Sequence, residues 1–461
     1  MNLQQVFRHF ERAPGAELPV GLVGAGEFGA TFIAQAARMR GLKVVAVCDR
    51  DLARARAAAS AAGHAPESIR TCTSLEQAHA AIAAGAIALV DSTQLLLQLR
   101  VDAVLEATGD PEAAASTALA AIEAGKHVVI ATKEAEIVVG AELAHRAAEK
   151  GVVHSPVDGD QPSLLIGLVG WARMLGLPVV CAGKSSESDF VWDAAAGTVS
   201  AWGRSEAAPG YADAFVRADA AGLAARHRVG FARTTVPDLC EMGIVANHTG
   251  LIPDSPTLHA PIARTIELPA LFRPRSEGGL LAGTGRVDMF NCLRRPDELS
   301  FAGGVFVVAQ TPDEATGRLF AAKGMPSSPD GRYVLLHNPV HLLGAEAAVS
   351  MLSAVQLGCS TGGVEVKPRV DLVATAARDL EPGEVLSIGV RHEIDGLDHA
   401  LQPGSPLGEN AAIPYYLAAG GRIRRHVKKG EPLRCGDVDV GAESVLLKLR
   451  QAQDARFFPR N

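Results

Sequence analysis

The sequence predicts an α/β protein: a doubly wound parallel sheet of the Rossmann kind, a second α/β domain, and a small all-β module at the carboxyl end. Three observations carry the prediction. Residues 20–29, VGLVGAGEFG, join an apolar strand to a glycine-spaced turn. Strand-like and helix-like runs then alternate from residue 19 to about 155, which argues for βαβ units. From Lys367 the texture changes to short apolar runs broken by glycine and proline, as in a compact β module. At 461 residues, two or three domains are expected on a prior of about 150 residues each. The boundaries fall at residues 1–155 (nucleotide-binding), 156–365 (catalytic and dimer-forming) and 366–446 (the β module).

Hydrophobic residues make up 48% of the chain and charged residues 21%, a globular composition. A net charge of −7 argues against general nucleic-acid or anionic-membrane binding. The longest apolar run, residues 80–90, falls short of the roughly 18 residues of a membrane span. The amino-terminal residues lack the apolar segment of a signal peptide, so a soluble, cytoplasmic protein is expected. The seven cysteines are scattered, odd in number and never spaced as CxxC, as expected of reduced, mostly buried thiols.

In the first domain, strands are expected at residues 18–23, 43–48, 87–90, 101–106, 127–131 and 152–154, with helices at 30–39, 52–62 and 111–124. Gly24 permits the tight turn, Gly26 lets backbone approach a pyrophosphate, and Gly29 lets the helix pack on the strand. Phosphate would sit at that helix's positive end, so Glu27 and Phe28 complete the expected cofactor contacts. Asp49, 20 residues after Gly29 at the end of the second strand, is placed to accept hydrogen bonds from an adenosine ribose. The adjacent Arg50 is suited to a 2′-phosphate. NADP is therefore the expected cofactor, with NAD the alternative. Thr108 and Gly109, at the carboxyl end of strand 101–106, are expected at the nicotinamide ribose.

The strand at 127–131 runs into Thr132, Lys133 and Glu134, which brings an ammonium and a carboxylate to the ligand-binding edge. Residues 151–162, GVVHSPVDGDQP, place Asp158, Asp160 and Gln161 in a loop after the next strand. A strand at 177–182 leads into Gly183, Lys184, Ser185, Ser186 and Glu187. At a strand end, Lys184 is suited to donate to a carbonyl oxygen as it becomes an alkoxide. Lys184, Lys133 and Asp160 are thus the expected catalytic residues. Glu134, Gln161, Ser185, Ser186, Asn247 and His248 are the expected substrate contacts. Glu241 shares a helix face with His248, seven residues on. Further strands are expected near 179–181, 305–309 and 333–337, and helices at 162–175, 211–226 and 342–357. Pro339 forbids one helix through His337 and His341, so no metal pair is expected there. A loosely held divalent ion at Asp158 or Asp160 is left open. In the tail, the basic run 422–429 alternates with Ile423 and Val427, which predicts a half-buried strand with a solvated charged face.

The segments VGLVGAGEFG, VLEATGDP and GKHVVIATK, in that order, resemble the homoserine dehydrogenase group. In that resemblance Lys133 falls on the lysine closing a VxxANK-like motif, which contacts cofactor and substrate; Thr132 stands where the group has asparagine. The segments VDGDQP, AGK, PDLCEMGIVANHTG, GGVFVVA and HNPVHLLGAEAA are similar to the branch containing the second, DXR-like type of 1-deoxy-D-xylulose 5-phosphate reductoisomerase. That branch ends in a SAF domain, which the paired phrases ARDLEPGEVL and KKGEPLRCGDV resemble. The resemblance implies an NAD(P)-dependent oxidoreductase acting by hydride transfer on a small polar hydroxy-carbonyl or sugar-derived compound, as a homodimer or homotetramer. Ser185, Ser186 and Glu187 depart from the branch, and an acid beside the substrate position is poorly suited to phosphate. Reductoisomerase, homoserine dehydrogenase and non-catalytic nucleotide sensing are the alternative readings.

Overall fold

In a computed structural model of the chain, residues 4–12 and 16–459 are described. The first domain is a seven-stranded sheet of β1 (Leu18–Val23), β2 (Leu42–Cys48), β3 (Ile69–Thr71), β4 (Ile87–Val90), β5 (Ala103–Glu106), β6 (His127–Ile130) and β7 (His154–Pro156). The order is β3-β4-β2-β1-β5-β6-β7 and every pairing is parallel. The direction of winding reverses at β1, between β2 and β5, so a crevice opens beyond the carboxyl ends of β1 and β5. β4 and β5 are buried at every position because helices cover both faces. β7 starts later than expected, since the Val152 N–H closes the preceding helix onto the Ala147 carbonyl at 2.9 Å.

The second sheet has nine strands: β8 (Val179–Ser185), β9 (Phe190–Asp193), β10 (Thr198–Ala201), β11 (Arg204–Ala207), β12 (Ile252–Pro253), β13 (Ile262–Ala263), β14 (Arg286–Arg294), β15 (Val305–Gln310) and β16 (Tyr333–Asn338). Its main path runs β11-β10-β9-β14-β8-β15-β16, and β12 and β13 also pair with β14. Helices Gln161–Met174 and Val236–Thr249 line the side that faces the first domain. The expected helix at 211–226 is two helices, Tyr211–Val216 and Ala220–Arg226. The expected 342–357 helix is α-helical only over Ala347–Leu352. That short helix returns to the first domain, where Ala347, Met351 and Leu352 bury against a core that includes Val20, Leu22 and Phe32.

The tail pairs β17 (Val370–Ala376) with β18 (Leu397–Pro403), and β19 (Arg422–Ile423) with β20 (Val438–Asp439), both antiparallel. Ile423 and Val427 are buried while the basic residues around them are exposed, as the alternation predicts. At the expected boundary of residue 446 the chain does not stop but runs on in helix Val445–Phe457, which packs on the first domain. Glu112 accepts hydrogen bonds from Ser444 Oγ at 2.7 Å and the Val445 N–H at 2.6 Å, and the Gln453 amide donates to the Val138 carbonyl at 2.9 Å. Val104 and Val128 of the first domain, Leu165 and Val236 of the second, and Leu372, Leu401 and Leu449 of the tail belong to one hydrophobic core. The tail is therefore built into the body rather than appended to it. No helix among the described residues is long and apolar enough to cross a membrane.

Candidate active site

The glycine turn has the geometry a dinucleotide requires. Gly24 has φ +96°, and a methyl group there would meet the Ala107 carbonyl oxygen at 2.4 Å, so only glycine lets β1 and β5 approach this closely. A methyl on Gly29 would stand 2.1 Å from the Gly24 carbonyl oxygen, which is the tight packing of helix Glu27–Ala36 on the turn. Gly26 differs: a methyl there would meet nothing within 4 Å. It would project into an open cradle at the helix amino terminus, where backbone N–H groups and the helix dipole favour a phosphate. Val23, Gly24, Gly26, Arg50, Thr108 and Asp110 line the adjoining cleft, of about 240 Å³.

Asp49 behaves differently from expectation. Its carboxylate accepts the Ala25 N–H at 2.7 Å, the Asp51 N–H at 2.8 Å, and Arg54 Nη2 at 2.8 and 3.0 Å. Those four bonds match the roughly four lone-pair sites of a carboxylate, leaving none for a ribose. Burial works against its charge, but these donors hold the carboxyl below its usual range. Arg50 makes no ion pair among the described residues and lines the same cleft. Thr108 commits its N–H (2.8 Å) and hydroxyl (2.6 Å) to Glu106 Oε1, and the Gly109 N–H donates to Thr132 Oγ1 at 3.0 Å. Thr132 thus ties the loop after β5 to the loop after β6. Glu106 is fully buried with Oε2 unpartnered, and burial pushes its carboxyl up to about 7.

Beyond β6 the polar groups converge. Helix Lys133–Glu149 starts at the expected lysine, and Lys133 Nζ donates to Glu241 Oε1. Lys184 Nζ donates to Glu241 Oε2 and lies 2.9 Å from Asp238 Oδ1 and 3.6 Å from Glu187 Oε1. One carboxylate therefore joins both lysines. Glu241 would be raised by burial, but the two ammonium groups lower it to about 2. Asp160 caps helix Gln161–Met174 through the Gln161 N–H at 3.0 Å. Burial raises its carboxyl, while Lys133 pulls the other way. Lys133 and Asp160 share the wall of a void of about 10 Å³, the size of one water.

Several expected roles need correction here. Lys184 lies within β8, paired with Met289 of β14 and Val305 of β15, and is fully buried. Its three N–H bonds face three carboxylates, so it is not a free electrophile. Lys133 is: its side chain is 20% exposed and, among the described residues, Glu241 is its one ion-pair partner, which leaves two N–H bonds open. Ser185 follows Lys184 in an extended strand and so faces the opposite side of the sheet; the Ser186 hydroxyl donates to the Ser188 carbonyl at 2.8 Å. Asn247 spends its amide on Val370, donating at 3.0 Å and accepting at 2.9 Å, which pins β17. His248 Nδ1 accepts the Gly363 N–H at 2.9 Å, so its proton sits on Nε2, 2.9 Å from Glu136 Oε1. Gln161 donates its side-chain amide to Glu187 and is buried. Glu134 is buried at the start of its helix. Among the described residues no group of three or more histidine, cysteine, aspartate or glutamate side chains is arranged to hold a metal ion.

Two family models cover most of these residues. Residues 24–156 match the NAD-binding domain of homoserine dehydrogenase, and residues 159–347 match the catalytic domain of oxidoreductase DRL. Over these two stretches the chain is similar to an NAD-binding domain followed by an oxidoreductase catalytic domain. No curated protein sequence matches it. Among solved structures, biliverdin reductase from Synechocystis sp. PCC 6803 shares 23% identity over 38% of this chain and 47% of its own, with TM-score 0.25. An oxidoreductase domain protein from Kribbella flavida shares 23% over 37% and 44%, with TM-score 0.27. The chain spans less than half the length of each.

Three participants escaped the sequence reading. Asp238 holds Lys184 and also accepts from the Thr235 N–H and hydroxyl, both at 2.8 Å. The Thr-x-x-Asp capping signature, with Glu241 one turn later, was the available signal. Glu136 accepts from His248 and contacts His154 Nε2 at 2.7 Å. Burial opposes its charge, but the two imidazoles hold it well below the usual carboxylate range. His392 reaches this region from the tail, 2.8 Å from Glu134.

Proposed function

We propose that this protein moves a hydride between NADP and a small, polar hydroxy-carbonyl compound that carries no phosphate. The observation that carries this reading is the Lys133–Glu241–Lys184 triad at the carboxyl edge of the first sheet, beside the turn of Thr108 and Gly109. Bound at the glycine turn, the cofactor would supply or accept the hydride at a substrate carbon. Gly24, Gly26 and Gly29 would seat its pyrophosphate, with Glu27 and Phe28 in the same turn, and Arg50 its 2′-phosphate. The saturation of Asp49 by Arg54 and two N–H groups supports NADP over NAD, because the ribose acceptor that NAD sites use is already occupied.

Lys133 holds the substrate oxygen and meets the negative charge that grows on it as carbonyl becomes alkoxide. Glu241 fixes Lys133, while Lys184 and Asp238 fix Glu241, so the donor is preorganised by buried ion pairs. Asp160, whose carboxyl burial raises against the pull of Lys133, exchanges the proton that turns alkoxide into hydroxyl. Glu134, Asp160, Glu187, Asp238 and Glu241 set five carboxyl groups against two ammonium groups. That balance repels a phosphate and suits neutral hydroxyls.

The test is a screen of hydroxy acids, polyols, their keto forms and sugar phosphates with NADP(H) and NAD(H), followed by nicotinamide absorbance. Turnover of a phosphate-free compound is expected, reduced about 10²–10³-fold in Lys133→Met. Tight cofactor binding without turnover on the whole panel, or turnover of sugar phosphates only, would overturn the reading.

A further inference from the structure

His392 belongs to the tail module, yet its side chain reaches the first domain at the start of helix Lys133–Glu149 and beside Gly109, next to the Thr108 end of the cleft. Its Nδ1 is 2.8 Å from Glu134 Oε1, and a methyl on Gly109 would stand 3.6 Å from its Cε1. We propose that the carboxyl-terminal module completes the active site, His392 closing the cofactor cleft at its Thr108–Gly109 end and forming with Glu134 an ionisable pair that faces the nicotinamide ring. The proposal rests on the dinucleotide reading of that cleft.

Four features support it. First, Glu134 is 1% exposed while the His392 side chain is 39% exposed, so the pair connects a buried carboxylate to the outside. Second, neither Glu134 Oε1 nor His392 Nδ1 makes an aligned hydrogen bond, although both are buried atoms at ion-pair distance. A third polar group, such as a carboxamide, could satisfy both. Third, the backbone that carries the imidazole is held in place. His392 has φ +62°, a left-handed conformation that residues other than glycine rarely adopt. Its N–H donates to the Gly389 carbonyl and its carbonyl accepts the hydroxyl of buried Tyr416, each at 3.1 Å. Fourth, the electrostatics are set by few groups. Glu134 and Lys133 face the imidazole from helix Lys133–Glu149, and Glu393 lies beside it on its own loop. Glu134 dominates and raises the imidazole above an ordinary histidine.

An oxidised nicotinamide ring carries a positive charge that the reduced ring lacks. A cation beside the pair attracts Glu134 and repels protonated His392, so the two cofactor forms load the pair differently. The module's closure is thereby coupled to the redox state of what it covers.

The experiment is a histidine side-chain NMR titration of the full-length protein, with the His392 signal assigned by its loss in His392→Gln. Free protein, protein with NADPH and protein with NADP⁺ are compared, and Glu134→Gln is titrated alongside. His392 should titrate above an ordinary histidine in free protein, return toward it in Glu134→Gln, and shift down more with NADP⁺ than with NADPH. In stopped-flow fluorescence, His392→Gln should release NADPH about tenfold faster or more, since lost contacts act mainly on dissociation. If both cofactors bind and the His392 titration is the same in all three states, the proposal is wrong. If neither binds, the dinucleotide reading fails and takes the proposal with it.

Discussion

Gly26 and Gly29 are three residues apart in one turn, and replacing each by alanine should break different things. At Gly29 the added methyl lies 2.1 Å from the Gly24 carbonyl oxygen, a backbone atom that cannot step aside. The helix must move off β1, and a loss of about 2–4 kcal/mol is expected, the scale of overpacking in a rigid site. At Gly26 the methyl meets nothing within 4 Å, and the backbone angles of φ −68° and ψ −164° are ones alanine adopts freely. Stability should therefore hold or rise by about 0.4–1 kcal/mol, from reduced freedom of the unfolded chain. The same methyl fills the cradle where the pyrophosphate must come closest, so cofactor affinity should fall at least about tenfold, or 1.4 kcal/mol. Urea unfolding reads the first quantity and NADPH fluorescence titration the second. A Gly26→Ala protein that binds NADPH as tightly as the parent would refute the placement of the pyrophosphate.

Arg50→Ala should weaken NADP by about 1.5–3 kcal/mol and leave NAD unchanged in parallel titrations, the range for a charge-assisted hydrogen bond; equal losses for both would remove Arg50 from the 2′-phosphate. Glu241→Gln leaves the buried Lys184 ammonium and the partly exposed Lys133 ammonium without their shared carboxylate, so unfolding free energy should drop by about 3–5 kcal/mol and turnover should collapse; a loss below about 1 kcal/mol would mean that the triad does not hold the site together. Glu106 is raised from 4.5 to about 7 by burial. A raised folded value means its stabilising contribution is complete below about 4.5 and is lost as pH climbs to about 7, by up to about 3 kcal/mol. Glu106→Gln should flatten stability across that window, and an unchanged pH profile in chemical unfolding would show that Glu106 ionises normally. Truncation after Val366 strips Leu372, Leu401 and Leu449 from the common core, so insoluble protein is expected rather than a working two-domain body.

What could be read from the sequence was whatever rests on local pattern. The glycine spacing and the alternation of apolar runs are set by neighbours in the chain, and six of the seven strands of the first sheet were visible; β3, a three-residue edge strand with two exposed positions, carries no such pattern. β14 was invisible for a different reason. Asp288 and Asn291 interrupt its apolar run, and they are tolerated because His259 and the Arg233 and Ala260 carbonyls, far away in sequence, supply their partners. In sequence Lys184 reads as a strand-end residue, because a buried lysine makes sense only with Asp238 and Glu241 beside it. Asn247 and His248 were expected at the substrate because polar groups on an apolar helix suggest function. Their bonds to Val370, Glu136 and Gly363 show polar groups used to join helices and strands. His392 had no local signal at all, since its meaning comes entirely from the fold bringing residue 392 to residue 134.

The docking of helix Val445–Phe457 on the first domain also governs how the molecule is made. Glu112 waits for Ser444 and Val445, partners 332 and 333 residues downstream, and Val138 waits for Gln453, 315 residues downstream. On the ribosome the first sheet can form early, but the apolar and polar surface meant for this helix stays uncovered until residues 444–457 emerge. At about 5–20 residues per second, that interval is on the order of tens of seconds. Closures over such separations are slow and leave aggregation-prone surface exposed meanwhile. Yield in a heterologous host should thus depend on chaperone supply and low temperature more than on the stability of the finished protein.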